Sequence, residues 1–110
     1  MNDRLPSGVV ASALIRRVHD VGGFAAVRAK GDAQGGALMF LILAPDGRMR
    51  VLERGVGPSG TSGAIDTTPI DDAAGSVEAH WRKRRARDPD LWVIELDSPE
   101  AERFAAETLA

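Results

Sequence analysis

The run Arg82-Lys83-Arg84-Arg85-Ala86-Arg87 sets five cations within six residues. The rest of residues 55–110 holds one basic residue against eleven acidic ones, so the cluster stands alone in an acidic half. Guanidinium forks match the geometry of carboxylates and phosphates and can grip either bidentately. The chemistry that Arg82, Lys83, Arg84, Arg85 and Arg87 offer is therefore anion recognition. An acidic protein surface is the first choice of partner. Nucleic acid is the second, because the net charge is −2 and the aromatics are few: Trp81, Trp92, three phenylalanines and no tyrosine. The competing structural account is a solvated helix end, its arginines paired with Asp88, Asp90 and neighbouring acids.

Carboxylates are the other residues with chemical potential. Asp71, Asp72, Glu78, Glu95 and Asp97 could serve as metal ligands or general acids and bases. Asp71 and Asp72 are accounted for at a helix start, where acids favour the positive end of the dipole. Asp97 is accounted for beside the capping pair Ser98-Pro99. Glu95 is harder to dismiss, since it follows Trp92-Val93-Ile94 in a strand that reads as buried; a salt bridge or an exposed strand end is its structural alternative. Trp92 and Asp46 are the other two positions worth inspecting, although Trp92 reads as core. There is no cysteine, which removes thiolate catalysis, disulfides and cysteine-ligated metals. His19 and His80 are too few for a histidine-rich metal site. Ser59 and Ser62 lie in no strand–Gly-x-Ser-x-Gly–helix elbow. These residues assign no catalytic residue, metal or cofactor.

The elements that position these groups are organised by Ala37–Ala44, eight apolar residues in a row between Gly35-Gly36 and Pro45-Asp46-Gly47. That length suits a strand, and the lack of alternation predicts that both its faces are dry. Before it, Ser7 reads as an N-cap and apolar residues at Val10, Ala13, Leu14, Val18 and Val21 predict a helix stopped by Gly22-Gly23. Phe24–Lys30 reads as an edge strand, and Arg48–Arg54 as a strand reached through a proline–glycine turn. Three strands with short links predict an antiparallel meander. Residues 55–69 are rich in Gly, Ser and Thr and read as a flexible loop, without the lysine and fixed spacing of a phosphate-binding loop. A second helix runs from Asp71 to Asp88-Pro89, with Ala73, Val77, Trp81 and Arg84 on one face. Leu91–Leu96 is a second apolar strand, entered by a parallel crossover. Ser98-Pro99 opens a closing helix carrying Phe104, Ala105 and Leu109. The expectation is one α+β domain over residues 1–110, in the order α-β-β-β-α-β-α. Its four-stranded, mostly antiparallel sheet would have helices on both faces.

That order is also the core order of restriction-endonuclease-like nucleases, which place an aspartate and an acid-x-lysine pair on the meander. Asp46 falls near a suitable place, but two residues beyond Glu53 stands Gly55, and Asp46-Gly47-Arg48 supplies an arginine that cannot act as a base. A degenerate core of that kind is an analogy of topology only. No apolar run approaches the ~20 residues of a membrane span, and Met1–Pro6 lacks a signal-peptide apolar region, so a cytoplasmic location is expected.

Gly23-Phe24-Ala25-Ala26-Val27, the Gly31-Asp32 turn leading to Gly36-Ala37, and Arg87-Asp88-Pro89-Asp90-Leu91-Trp92-Val93-Ile94-Glu95 resemble the signature stretches of a small bacterial family. It is common in alphaproteobacteria and classed as a domain of unknown function, number 1491 of that series. Asp-Pro-Asp-Leu-Trp is the most specific part of the resemblance. The family has no assigned catalytic residues, so the resemblance implies a single cytoplasmic domain and no mechanism. Taken together, the residues describe a non-catalytic interaction or accessory module that meets an acidic partner through its Arg-rich helix end. Nucleic-acid binding is the alternative, and a homodimer is compatible with the sequence.

Overall fold

The computed structural model describes residues 5–70 and 74–110. The chain runs α1 (Ser7–Asp20), β1 (Phe24–Ala29), β2 (Leu38–Leu43), β3 (Met49–Val56), β4 (Ser62–Asp66), α2 (Ala74–Arg87), β5 (Trp92–Asp97) and α3 (Ala101–Leu109). Five strands form one mixed sheet in the order β1-β5-β2-β3-β4. β5 lies parallel to β2, and the other three pairings are antiparallel.

The uninterrupted apolar run is the middle strand, as its composition requires. Phe40 and Ile42 point to one face, where they pack with Leu52, Ile94 and Leu96 beneath Leu14 and Val18 of α1 and Phe104 and Leu109 of α3. Met39 and Leu41 point to the other, with Val51 and Val93 beneath Val77 and Trp81 of α2. Both faces of β2 are therefore dry, and the strand needs no alternation.

Two expectations about the sheet are corrected. First, β1 is not part of a meander: β5 inserts between β1 and β2. The cause is burial. Residues 91–94 and Leu96 are buried, while Phe24, Val27 and Arg28 of β1 are exposed. Placing the more apolar strand between two neighbours removes more apolar surface from water than leaving it at an edge. The link across residues 30–37 spans the two strand spacings, roughly 9–10 Å, that the insertion requires.

Second, there are five strands, not four. β3 continues to Val56, and β4 lies inside the stretch 55–69. The hairpin turns at Gly57, whose N–H donates to Thr61 O (3.0 Å), and Thr67 N continues the pairing onto Val51 O (2.9 Å). Backbone hydrogen bonds carry β4. Its side chains are Ser, Gly, Ala, Ile and Asp, and Ile65 packs closely over Gly55, where a Cβ would not fit. A strand that buries so little leaves no apolar pattern to read.

Helix ends also differ from expectation. Ser7 is the first residue of α1 and does not cap it; Pro6 holds the cap position. The Ser7 hydroxyl instead donates to Gly36 O (2.6 Å), while Ser7 N and Gly8 N donate to Gln34 O and Ala33 O. The start of α1 is thereby fixed to the turn before β2. The buried face of α1 is Ala11, Leu14 and Val18, with Ala13 and Val21 exposed. The helix-start roles assigned to Asp71 and Asp72, and the inward face assigned to Ala73, lie outside the described residues.

Candidate interaction site on the basic helix

α2 packs on the sheet through Val77 and Trp81, and this choice of face distributes the five cations. Arg84 lies on the inward side, about one turn beyond Trp81 and two beyond Val77. It forms a bidentate pair with Glu53, with Nη2–Oε1 at 2.8 Å and Nη1–Oε2 at 3.0 Å. Glu53 is 8% exposed and also accepts from the Thr67 hydroxyl, so its carboxylate is satisfied by a cation and a donor. Arg85 donates through Nη2 to Lys30 O (3.0 Å) and is half-buried rather than exposed. Arg82 is exposed but engaged: Nε donates to Glu78 Oε2 (2.8 Å), and its guanidinium stacks over Trp81 at 4.8 Å. Lys83 and Arg87 differ from these three. They stand one turn apart on the outer face, both exposed, with no ion pair among the described residues.

Trp81 is the pivot of a second group. Arg28 of β1 stacks on it at 5.4 Å, donates to both oxygens of Glu78 (3.0 Å) and donates to Glu95 Oε1 (2.9 Å). Glu95 is thus a salt-bridge partner, which answers the suspicion raised by its place in a buried strand. Desolvation pushes the Glu78 carboxyl up, but hydrogen bonds from Arg82 and Trp81, with the charge of Arg28, outweigh it and hold the group below its ordinary value. A carboxyl lowered on folding stabilises the native state above its unfolded pKa and loses that contribution as the pH falls through the folded one. We expect the urea midpoint to drop on acidification below the ordinary carboxylate range, and to drop less in Glu78→Gln. Equal pH profiles for the two proteins would show that this network adds nothing.

Trp92 is buried in the α1/α3 layer and donates Nε1–H to Asp32 O (2.8 Å). Asp46 closes the β2–β3 turn by accepting from Arg48 N (2.9 Å). Glu95, Trp92 and Asp46 do not converge. Asp46 and Glu53 lie toward opposite ends of the β2–β3 hairpin, since Glu53 pairs with Met39 at the start of β2. Among the described residues no group of three or more His, Asp or Glu side chains is gathered as a metal ion would require. A cleft of about 510 Å³ opens beside Glu53, Arg54 and Arg84. Its cations are already engaged: Arg84 with Glu53, and Arg54 with the carbonyls of Leu109 and Ala110.

The residues that reading the sequence undervalued are Glu53 and Arg28. Alternation along β3 puts Glu53 on the face of Met49 and Val51, the face α2 covers, and that signal was available. Arg28 is the residue inside the shift of register between Val27 and Ala29, which strict alternation does not anticipate.

The fold and site define a small α+β domain with a mixed sheet between helical layers and a cationic outer helix face. Among the described residues no helix is long and apolar enough to cross a membrane. The chain belongs to the DUF1491 family, proteins of unknown function, whose model matches residues 5–106. It is similar to the crystal structure of a DUF1491 family protein from Caulobacter crescentus, at 26% identity and a TM-score of 0.77, over 92% of this chain and 94% of that one. The NMR structure of a DUF1491 family protein from the same organism agrees at 26% identity and a TM-score of 0.75, over 92% of both chains. The solution structure of a protein from A. tumefaciens agrees at 29% identity and a TM-score of 0.75, over 94% of this chain and 93% of that one. No curated protein matches the sequence.

Proposed function

We propose that this protein is a non-catalytic interaction module of the cytoplasm whose outer α2 face receives an acidic surface of a protein partner. The observation that carries the reading is the division of the cluster. Arg84 and Arg85 are taken up in holding α2 to the fold, and Arg82 in the Glu78–Trp81 group. Lys83 and Arg87 have no such task among the described residues. Ala79, one turn before Lys83, and Ala86, next to Arg87, are also exposed, so a partner can approach the helix closely. Carboxylates arriving there would meet charges not yet neutralised by the chain itself.

The test is a double charge reversal, Lys83→Glu with Arg87→Glu. Neither side chain is needed for packing, so the fold should be kept, with stability lowered by no more than about 1 kcal/mol for a carboxylate at the C-terminal end of α2. Binding of a labelled acidic peptide should weaken roughly tenfold at low salt, as expected from two exposed pairs at up to about 1 kcal/mol each. Its salt dependence should flatten as well. Equal anisotropy titrations for wild type and variant would remove the proposal. If single-stranded oligonucleotide binds instead, with a salt slope that falls in the variant, the site is a nucleic-acid surface.

A further inference from the structure

The sheet has two edges, and they are unlike. Among the described residues β1 pairs with β5 alone and β4 with β3 alone, so each presents an outer row of backbone donors and acceptors. β4 is a poor template: it is five residues long, contains Gly63 and ends on the exposed charge of Asp66. β1 carries no charge from Phe24 to Val27, and its Phe24 and Val27 side chains are 55% and 44% exposed. The usual protections of an edge, such as an inward charge or a proline, are absent from these four residues. A shift of register between Val27 and Ala29 ends the regular stretch.

We infer that β1 pairs antiparallel with β1 of a second copy of this chain, centred on Ala25, so that two five-stranded sheets become one. The argument is self-complementarity. Register with β5 places Phe24 and Ala26 on the α2 face, opposite Asp97 and Glu95, and places Ala25 and Val27 on the α1/α3 face, opposite Leu96 and Ile94. Antiparallel pairing about Ala25 sets Phe24 against Ala26 of the second copy and Val27 against Gly23 of the second copy. Each exposed large side chain then lies beside a small neighbour, Ala26 of the strand or Gly23 just before it, and no like charges face each other. The twofold axis of such a pair stands perpendicular to the sheet. Both α2 helices therefore lie on the same side, which would present their basic faces to one partner together. The pairing stands whether or not those faces bind an acidic surface.

Sedimentation of the full chain between about 1 µM and about 1 mM tests the inference, because a single short edge contact belongs to the weak end of this range. Wild type should pass from the mass of one chain to twice that mass as concentration rises. Phe24→Lys combined with Val27→Lys should stay at one chain throughout, with an unchanged circular dichroism spectrum. Hydrogen exchange on the wild type gives a reading independent of any variant: amides of Phe24–Val27 should gain protection with concentration while those of Ser62–Asp66 do not. A wild type that remains one chain at the highest concentration overturns the inference, as does a double variant that associates equally well. Protection gained at β4, or at β1 only when an unrelated extended peptide is added, also overturns it.

Discussion

Phe40→Ala is expected to lower stability by about 3–5 kcal/mol, the range for deleting a buried aromatic ring from a core that cannot close around the gap. Phe40 is fully buried in the middle strand. It is paired with Leu52 on one side and aligned with Ile94 on the other, so neither neighbouring strand can move inward without breaking a ladder. Above it the layer is made by two helices, α1 and α3. These helices are themselves tied together by Arg17 and Glu107, which bond at 2.8 Å. A lid of this kind relaxes little, and the cavity persists. Val27→Ala, on the exposed part of β1, should stay within about 0.5 kcal/mol under the same urea titration. A loss below about 1 kcal/mol for Phe40→Ala would mean that the face is less tightly covered than the packing implies.

The parts of this fold that announced themselves are those that bury apolar side chains in a regular pattern. β2 and β5 are visible as unbroken apolar runs, α1 and α3 as stripes at helical spacing. Strand order was hidden, because whether β1 or β5 sits next to β2 depends on which arrangement buries more surface, a comparison between segments far apart in the chain. β4 was hidden for another reason: its stability comes from the backbone and from its neighbour β3, and neither leaves a trace in side-chain periodicity. The basic cluster was visible as a run of charge. Its division was not, since Arg84 finds Glu53 and Arg85 finds the carbonyl of Lys30 only once the sheet has formed. A charge run read linearly counts five binding residues. In the fold two of them, Lys83 and Arg87, have no partner among the described residues.

The stretches that carry the family resemblance have a structural task, which leads to the second large effect. Gly31-Asp32, Gly36 and Asp90-Leu91-Trp92 meet at the start of β2. Asp32 N donates to Asp90 O (3.0 Å), and Asp32 O accepts from Gly36 N (3.3 Å). The same Asp32 O accepts from Trp92 Nε1 (2.8 Å). Trp92 N donates to Ala37 O (2.8 Å), and the Ser7 hydroxyl closes on Gly36 O (2.6 Å). A Cβ on Gly36 would lie closer than 3.0 Å to the carbonyl oxygen of Asp90, with the backbone of Asp32 tight beside it. Both obstacles are main chain and cannot rotate away. Gly36→Ala must therefore push the turn off Asp90, weakening the bonds that join α1, β2 and β5. We expect a loss of about 3 kcal/mol or more, the upper end for overpacking. Gly35→Ala is the control one residue away: the nearest atom to its Cβ would be Asp32 Oδ2 at 3.9 Å, an ordinary contact. That variant should change stability by less than about 1 kcal/mol, and its smaller unfolded-state entropy favours a gain. Paired thermal and urea melts decide the matter, and similar losses for the two variants would show that the close approach of the two backbones is not what makes glycine necessary at position 36.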